Sequence, residues 1–319
     1  RVTLNCAGPW ADLLLAKAEG GDPSVHLLRS KGIHAIVPAI TRTHALTVQH
    51  KGKHFFVLPW RGHTILGTTD TPFKEHPDAV RPLAEDIDDM LAAVNGGLPF
   101  LRINRSDVLH AYAGLRPLVD DGASSSYNAS RKSEIVDHAK SGAAGLFSAI
   151  GGKWTTSRHV AEKAVDLVQA RLGQTRKNPK TGERPLPGGA TGRIAAFKST
   201  VGRKLNTLPS GAQEAMGRLY GARFDAVARL AAGDASLLSP LSNSVHDTGA
   251  AVLHAVRMEM AVNLADVVFR RTGLGGLGHP GKPALERAAQ IMAREMNWDA
   301  TESARQVTSV EALFPVTAA

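Results

Sequence analysis

The sequence is short of cysteine, of aromatic residues and of long apolar runs. The single cysteine, Cys6, can form neither an internal disulfide nor a cysteine zinc site, and it fits a reducing compartment. Aromatic residues make up 5% of the chain, too few stacking platforms for a binder of single-stranded nucleic acid. The 38 lysines and arginines are dispersed and form no nucleic-acid tract. No stretch reaches the roughly 18 apolar residues of a membrane-spanning helix, and there is no signal-peptide pattern. The thirteen histidines offer no metal spacing. His50 and His54 are four apart but flank Gly52 in strand-like sequence, so they would not share a helical face. A Gly-x-Ser-x-Gly elbow is missing. So is a Gly-x-Gly-x-x-Gly after a strand, because Gly273-Leu274-Gly275-Gly276 follows a helical stretch.

What is present is ordinary globular material of 319 residues, enough for one large domain or two, with 43% hydrophobic residues and a net charge of +9. That charge suits an anionic small substrate or an anionic membrane surface. The stretch around which the rest is arranged is Leu146 to Ser157. A strand-length apolar run meets Gly151-Gly152, then Lys153, then Thr155, Thr156 and Ser157. A helical pattern of Val160, Ala161, Ala164, Leu167, Val168 and Leu172 follows. The hydroxyls suit an N-cap, and a strand, a tight turn and a helix start make an anion site. A P-loop is excluded because Phe147 stands where its first glycine belongs. The bland alternative, a strand–helix turn with a solvated lysine, stays open.

Strand-like runs cover Val2–Asn5, Ile33–Val37, Ala45–Gln49, His54–Pro59, Thr64–Gly67, Arg105–Leu115, Ser133–His138 and Leu146–Ile150. Helical patterns follow Asp12, ending at Gly20-Gly21, and cover Ala84–Asn95. Residues 174–189 are rich in Lys, Arg, Pro and Gly and read as a linker. Beyond it, helices are expected at Ala212–Leu230, Ala250–Arg271, Ala284–Met296 and Thr301–Leu313. The expected domains are therefore 1–173, α/β or α+β with a mixed or antiparallel sheet, and an all-helical 190–319.

Basic residues stand at the ends of apolar runs: His34, Arg116, Arg131 and Lys153. If the strands converge, they form a pocket for a phosphate or carboxylate. Taken singly, each is also readable as a surface cation. Gly67-Thr68-Thr69-Asp70 and Asn5-Cys6-Ala7-Gly8-Pro9-Trp10 are further clusters at strand ends.

Together these segments resemble the FAD-dependent glycerol-3-phosphate dehydrogenase family. The matching segments are Asn5–Asp12, Lys31–Pro38, Phe56–Trp60, Leu66–Asp70, Ala113–Leu118 and Gly151–Thr156. Val256–Ala261 with Asp266 and Arg270–Thr272 completes them, in that order along nearly the whole chain. The resemblance implies an FAD-dependent oxidoreductase fold with a helical C-terminal domain. It implies oxidation of sn-glycerol 3-phosphate to dihydroxyacetone phosphate, with hydride passed to FAD and electrons to a quinone.

The same resemblance assigns roles. Arg116 and Arg131 would hold the phosphate, with Thr69 beside them. Lys153 would face the developing charge on the flavin. His34 would position the C2 hydroxyl or accept its proton, or would be a satisfied sheet histidine. Ala7, Gly8, Trp10, Gly151, Gly152, Lys153, Thr155 and Thr156 would line the cofactor. A homodimer, a cytoplasmic location and peripheral contact with the inner face of the cell membrane are expected; nucleic acid is not. The family's dinucleotide fingerprint is expected to lie before Arg1, so the chain as it stands is expected to carry little FAD. Two alternatives remain: a related amine or amino-acid oxidase, and a non-catalytic interaction module.

Overall fold

The structure is a computed structural model that describes residues 1–119, 133–175 and 177–314. They fall into two compact units, Arg1–Glu183 and Arg184–Ala319, and the cut lies within residues 174–189.

The strands of the first unit are β1 (Thr3–Asn5), β2 (Leu27–Pro38), β3 (Leu46–His50), β4 (Lys53–Trp60), β5 (His63–Gly67), β6 (Thr71–Phe73), β7 (His110–Val119), β8 (Glu134–Asp137) and β9 (Leu146–Ile150). Its helices are α1 (Ala11–Glu19), α2 (Ala84–Gly97) and α3 (Ser157–Arg171). One sheet has the order β1-β9-β8, with β1 and β9 parallel. The other runs β3-β4-β5-β2-β6, and β7 pairs antiparallel along nearly all of β2.

The larger sheet is explained by alternation along β2. Ile33, Ala35 and Val37 point one way and are buried with Phe55, Val57 and Leu66 under Met90, Leu91 and Val94 of α2. The residues between them point the other way. The predicted Ile33–Val37 is therefore the core of a longer strand. The run predicted from Arg105 begins instead at His110, because Asp107 closes a 3-10 turn over Asn104.

The second unit is helical: α4 (Ile194–Lys204), α5 (Ser210–Tyr220), α6 (Phe224–Ala228), α7 (Gly249–Glu259), α8 (Leu264–Asp266), α9 (Lys282–Met296) and α10 (Ala300–Glu311). Two predicted long helices are broken. Ala212–Leu230 breaks at Gly221, whose φ is +51° and whose backbone lies so close to Gly188 O that a Cβ would sit 2.1 Å from it. Ala250–Arg271 breaks at Met260, which is left-handed (φ 57°), after which Asn263 caps α8 through Asp266 N. α4 had no counterpart in the helices expected from sequence.

Candidate functional site

The site begins with one row across the sheet. His34 on β2 faces Gly67 on β5 and Tyr112 on β7. Its imidazole lies over Gly67, where a Cβ would be 2.3 Å from the ring, and stacks on Tyr112 at 5.2 Å and 15°. Burial, and then the Arg116 guanidinium, hold His34 below the ordinary histidine range, so it is neutral near pH 7. His110, one row away on the same face of β7, is buried and is held low by that burial.

Two rows from His34, Ser30 pairs with Arg116. Arg116 Nη1 donates to Ser30 Oγ (3.2 Å), and Nη2 donates to Thr68 Oγ1 (2.8 Å) and Thr69 O (3.1 Å). Ser30 in turn donates to Asp70 (2.7 Å), whose carboxylate is 3.9 Å from Arg116 Nη1. These partners fix the guanidinium in place before any ligand arrives. The Thr69 hydroxyl accepts Ile33 N–H at 3.0 Å, so it also holds the β5–β6 connection against β2.

A second set of groups gathers at the edge of the small sheet. Because β1 and β9 are parallel, their following turns leave the same edge, the place where α/β sheets bind ligands. The first turn carries Ala7, Gly8 (φ +55°) and Trp10; the second carries Gly151 (φ +69°), Gly152 (φ +90°) and Lys153. Asn5, buried at the end of β1, bonds Ala11 O and Ser148 Oγ and accepts Ala7 N–H, which fixes the first turn. Arg29 donates to Pro9 O and pairs with Asp12, so β2 holds the same turn. The Trp10 indole N–H is taken by Asp78.

After β9 the expected caps behave differently. Thr156 closes its hydroxyl onto Lys153 N and O, and Ser157 donates to Trp154 O. No side chain caps α3; the 3-10 turn Trp154–Thr156 leads straight into it, and Ser157 N–H bonds Trp154 O. Thr155 and Lys153 are exposed at that mouth. β7 lies against both Gly8–Trp10 and β9, which brings the two halves of the site together within the first unit. Arg131 lies outside the described residues.

The family described as FAD dependent oxidoreductase matches residues 1–166. This chain belongs to that family. Residues 179–303 match a second family, described as the C-terminal domain of alpha-glycerophosphate oxidase. A glycerol-3-phosphate dehydrogenase of Synechocystis sp. is 29% identical over 96% of the chain and 57% of its own length. A D-erythritol 1-phosphate dehydrogenase of Brucella abortus is 31% identical over 85% of the chain and 54% of its length. The crystal structure of glycerol-3-phosphate dehydrogenase from Bacillus halodurans complexed with FAD superposes with a TM-score of 0.78, at 29% identity, over 98% of this chain and 61% of that one. The chain thus spans about half the length of the curated relatives it matches.

In an FAD-dependent oxidoreductase the residues present fit part of the cofactor. Left-handed glycines let backbone approach a flat ring closely, and the uncapped α3 start with Lys153 favours negative charge before it. Gly-x-Gly-x-x-Gly spacing occurs only within Gly273–Gly281, which follows the helical turn Val267–Arg271 of the second unit and not a strand, so it does not have the strand–turn–helix setting of a pyrophosphate cradle. Sequence reasoning missed Tyr112, His110 and Ser30. Alternation along β2 and β7 would have grouped each with its own strand's functional residue, but not across strands.

Proposed function

We propose that the protein containing this chain oxidises sn-glycerol 3-phosphate at C2 to dihydroxyacetone phosphate. The observation that carries the reading is the placement of a fixed guanidinium and a neutral imidazole two rows apart on one sheet face. Arg116 offers a phosphate the charge and the fork geometry it needs, and we assign Arg131 to the same group. His34 Nε2 or Nδ1, unprotonated near pH 7, takes the C2 hydroxyl proton. FAD, when bound, supplies the hydride acceptor and carries negative charge once it has accepted. Lys153 and the N-terminal end of the α3 dipole put positive potential at that edge, which favours the charge-separated transition state over the ground state.

We further infer a quinone as the final acceptor, a homodimer, and a cytoplasmic enzyme on the inner membrane face. No helix among the described residues is long and apolar enough to cross a membrane, and the net charge of +9 supports contact with an anionic surface.

The test is Arg116→Ala in the flavin-loaded enzyme. KM for glycerol 3-phosphate should rise by an amount worth about 2–5 kcal/mol, the cost of removing one partner of a desolvated charge pair. An unchanged kcat/KM removes Arg116 from the site, and a parent enzyme that glycerol 3-phosphate does not reduce removes the substrate.

A further inference from the structure

Between the two groups that this reaction needs lies a place with no side chain. β2 and β7 pair so that Gly32 faces Gly114, one row from His34–Tyr112 and one row from Ser30–Arg116. Successive rows on one face are about 6.6 Å apart. The two glycines differ in what they face. A Cβ on Gly32 would strike Arg116 Nη2 at 2.3 Å and Thr68 Oγ1 at 2.6 Å, so the guanidinium already lies over it. Among the described residues, a Cβ on Gly114 would meet no heavy atom within 4 Å, and Gly114 is exposed.

Nothing in the fold asks for glycine at 114. Its φ is not positive, so no left-handed turn requires it. Glycine inside a strand costs roughly 0.5–1 kcal/mol against alanine and contributes no packing. Gly114 leaves an opening floored by bare backbone. Arg116 bounds it at one end, and the His34–Tyr112 stack bounds it at the other.

We infer that Gly114 is a specificity-determining residue: the bare backbone at this position seats the carbon chain of a short phosphorylated polyol, phosphate toward Arg116 and hydroxyl-bearing carbon toward His34. This rests on the reading given under Proposed function. A methyl group at 114 would fill the seat while touching no other described residue. A ligand that needs only Arg116 would not feel it.

The experiment uses the flavin-loaded enzyme as parent, Gly114→Ala and Gly114→Val, with inorganic phosphate as a competitive probe and sn-glycerol 3-phosphate as substrate. Gly114→Ala should melt at or above the parent temperature, because it restrains the unfolded chain and clashes with nothing. Phosphate inhibition should stay within about twofold of the parent, while KM for glycerol 3-phosphate rises about tenfold or more, and further for Val, as overfilling a fitted space does. An Ala variant with KM within twofold of the parent overturns the seat, and so does an equal weakening of phosphate and substrate. A parent that does not turn over glycerol 3-phosphate overturns the reaction and the seat together; an active parent with an unaffected variant overturns the seat alone.

Discussion

On one face of β2, Ile33, Ala35 and Val37 are at most 1% exposed and pack under α2. On the other face of the same strand, Ser30, Gly32 and His34 meet Arg116, Gly114 and Tyr112 of β7. The strand is one piece of backbone, yet its two sides answer to different demands. Burial of apolar area accounts for the first set. It accounts for none of the second, where two glycines and a network of paired polar groups occupy positions that Val or Ile would fill with gain. The exception on the core face makes the same point. Lys31 is buried there, and its charge is met by Asp86 of α2 at 2.6 Å. Changes on the core face should therefore move stability, and changes on the open face or the adjoining sheet edge should move chemistry.

The largest expected effect is Asp86→Ala. Asp86 Oδ2 takes both the Lys31 ammonium and the Leu83 N–H that starts α2. Its loss leaves a buried cation unpaired and the helix uncapped, at a cost of about 3–5 kcal/mol. Replacing both partners, as Lys31→Met with Asp86→Leu, should recover most of that. Urea unfolding checks it, and a single variant as stable as the double would break the distinction between the faces.

The sequence showed much of this, unevenly. Gly151-Gly152-Lys153 and the segment around Arg116 stand out because their meaning is local: glycines at a strand end, a cation beside a turn. The fold class followed from the same local patterns. What needed the structure was pairing across distance. Ser30 and Arg116 are 86 positions apart, and nothing in either segment names the other. The break at Met260 was hidden for a different reason. Methionine is a good helix former, yet here it takes the left-handed C-cap of α7 with its N–H on Ala255 O, a place glycine usually fills. Thr156 was readable as a cap by type, but its hydroxyl closed on its own turn.

Lys153→Met sharpens the comparison from the chemical side. Lys153 is exposed, so the substitution should change folding stability by no more than about 0.5 kcal/mol. In the flavin-loaded enzyme it should slow flavin reduction by about 10²–10³-fold, the usual loss on removing one group aimed at developing charge. Stopped-flow bleaching at saturating substrate decides it. A rate within twofold of the parent would make Lys153 a solvated turn residue.

The smallest effect is one of pH, and in the first unit it comes from the open face. His34 is held low by burial and by Arg116, and His110 by burial. In the unfolded chain both take up a proton near pH 6.5. As pH falls below about 6.5, the unfolded state binds protons that the folded state refuses. Stability therefore drops with falling pH until the folded histidines titrate, and it is level above that window. In the second unit His254, also held low by burial, adds a residual slope of the same sign. The carboxylates there act lower: Glu302 is pushed down to about 2 by bonds from Arg305 and Gln306, and Glu295 is lowered by Arg257. Their stabilisation is complete above the unfolded value near 4.5 and fades only beneath it. Unfolding midpoints taken between about pH 5 and pH 8 thus isolate the histidines. The double variant His34→Asn with His110→Asn should flatten the slope in that window and leave only the His254 part. A slope equal to the parent's would mean that the imidazoles of the open face are protonated as readily folded as unfolded, and His34 would lose its claim to be the neutral base.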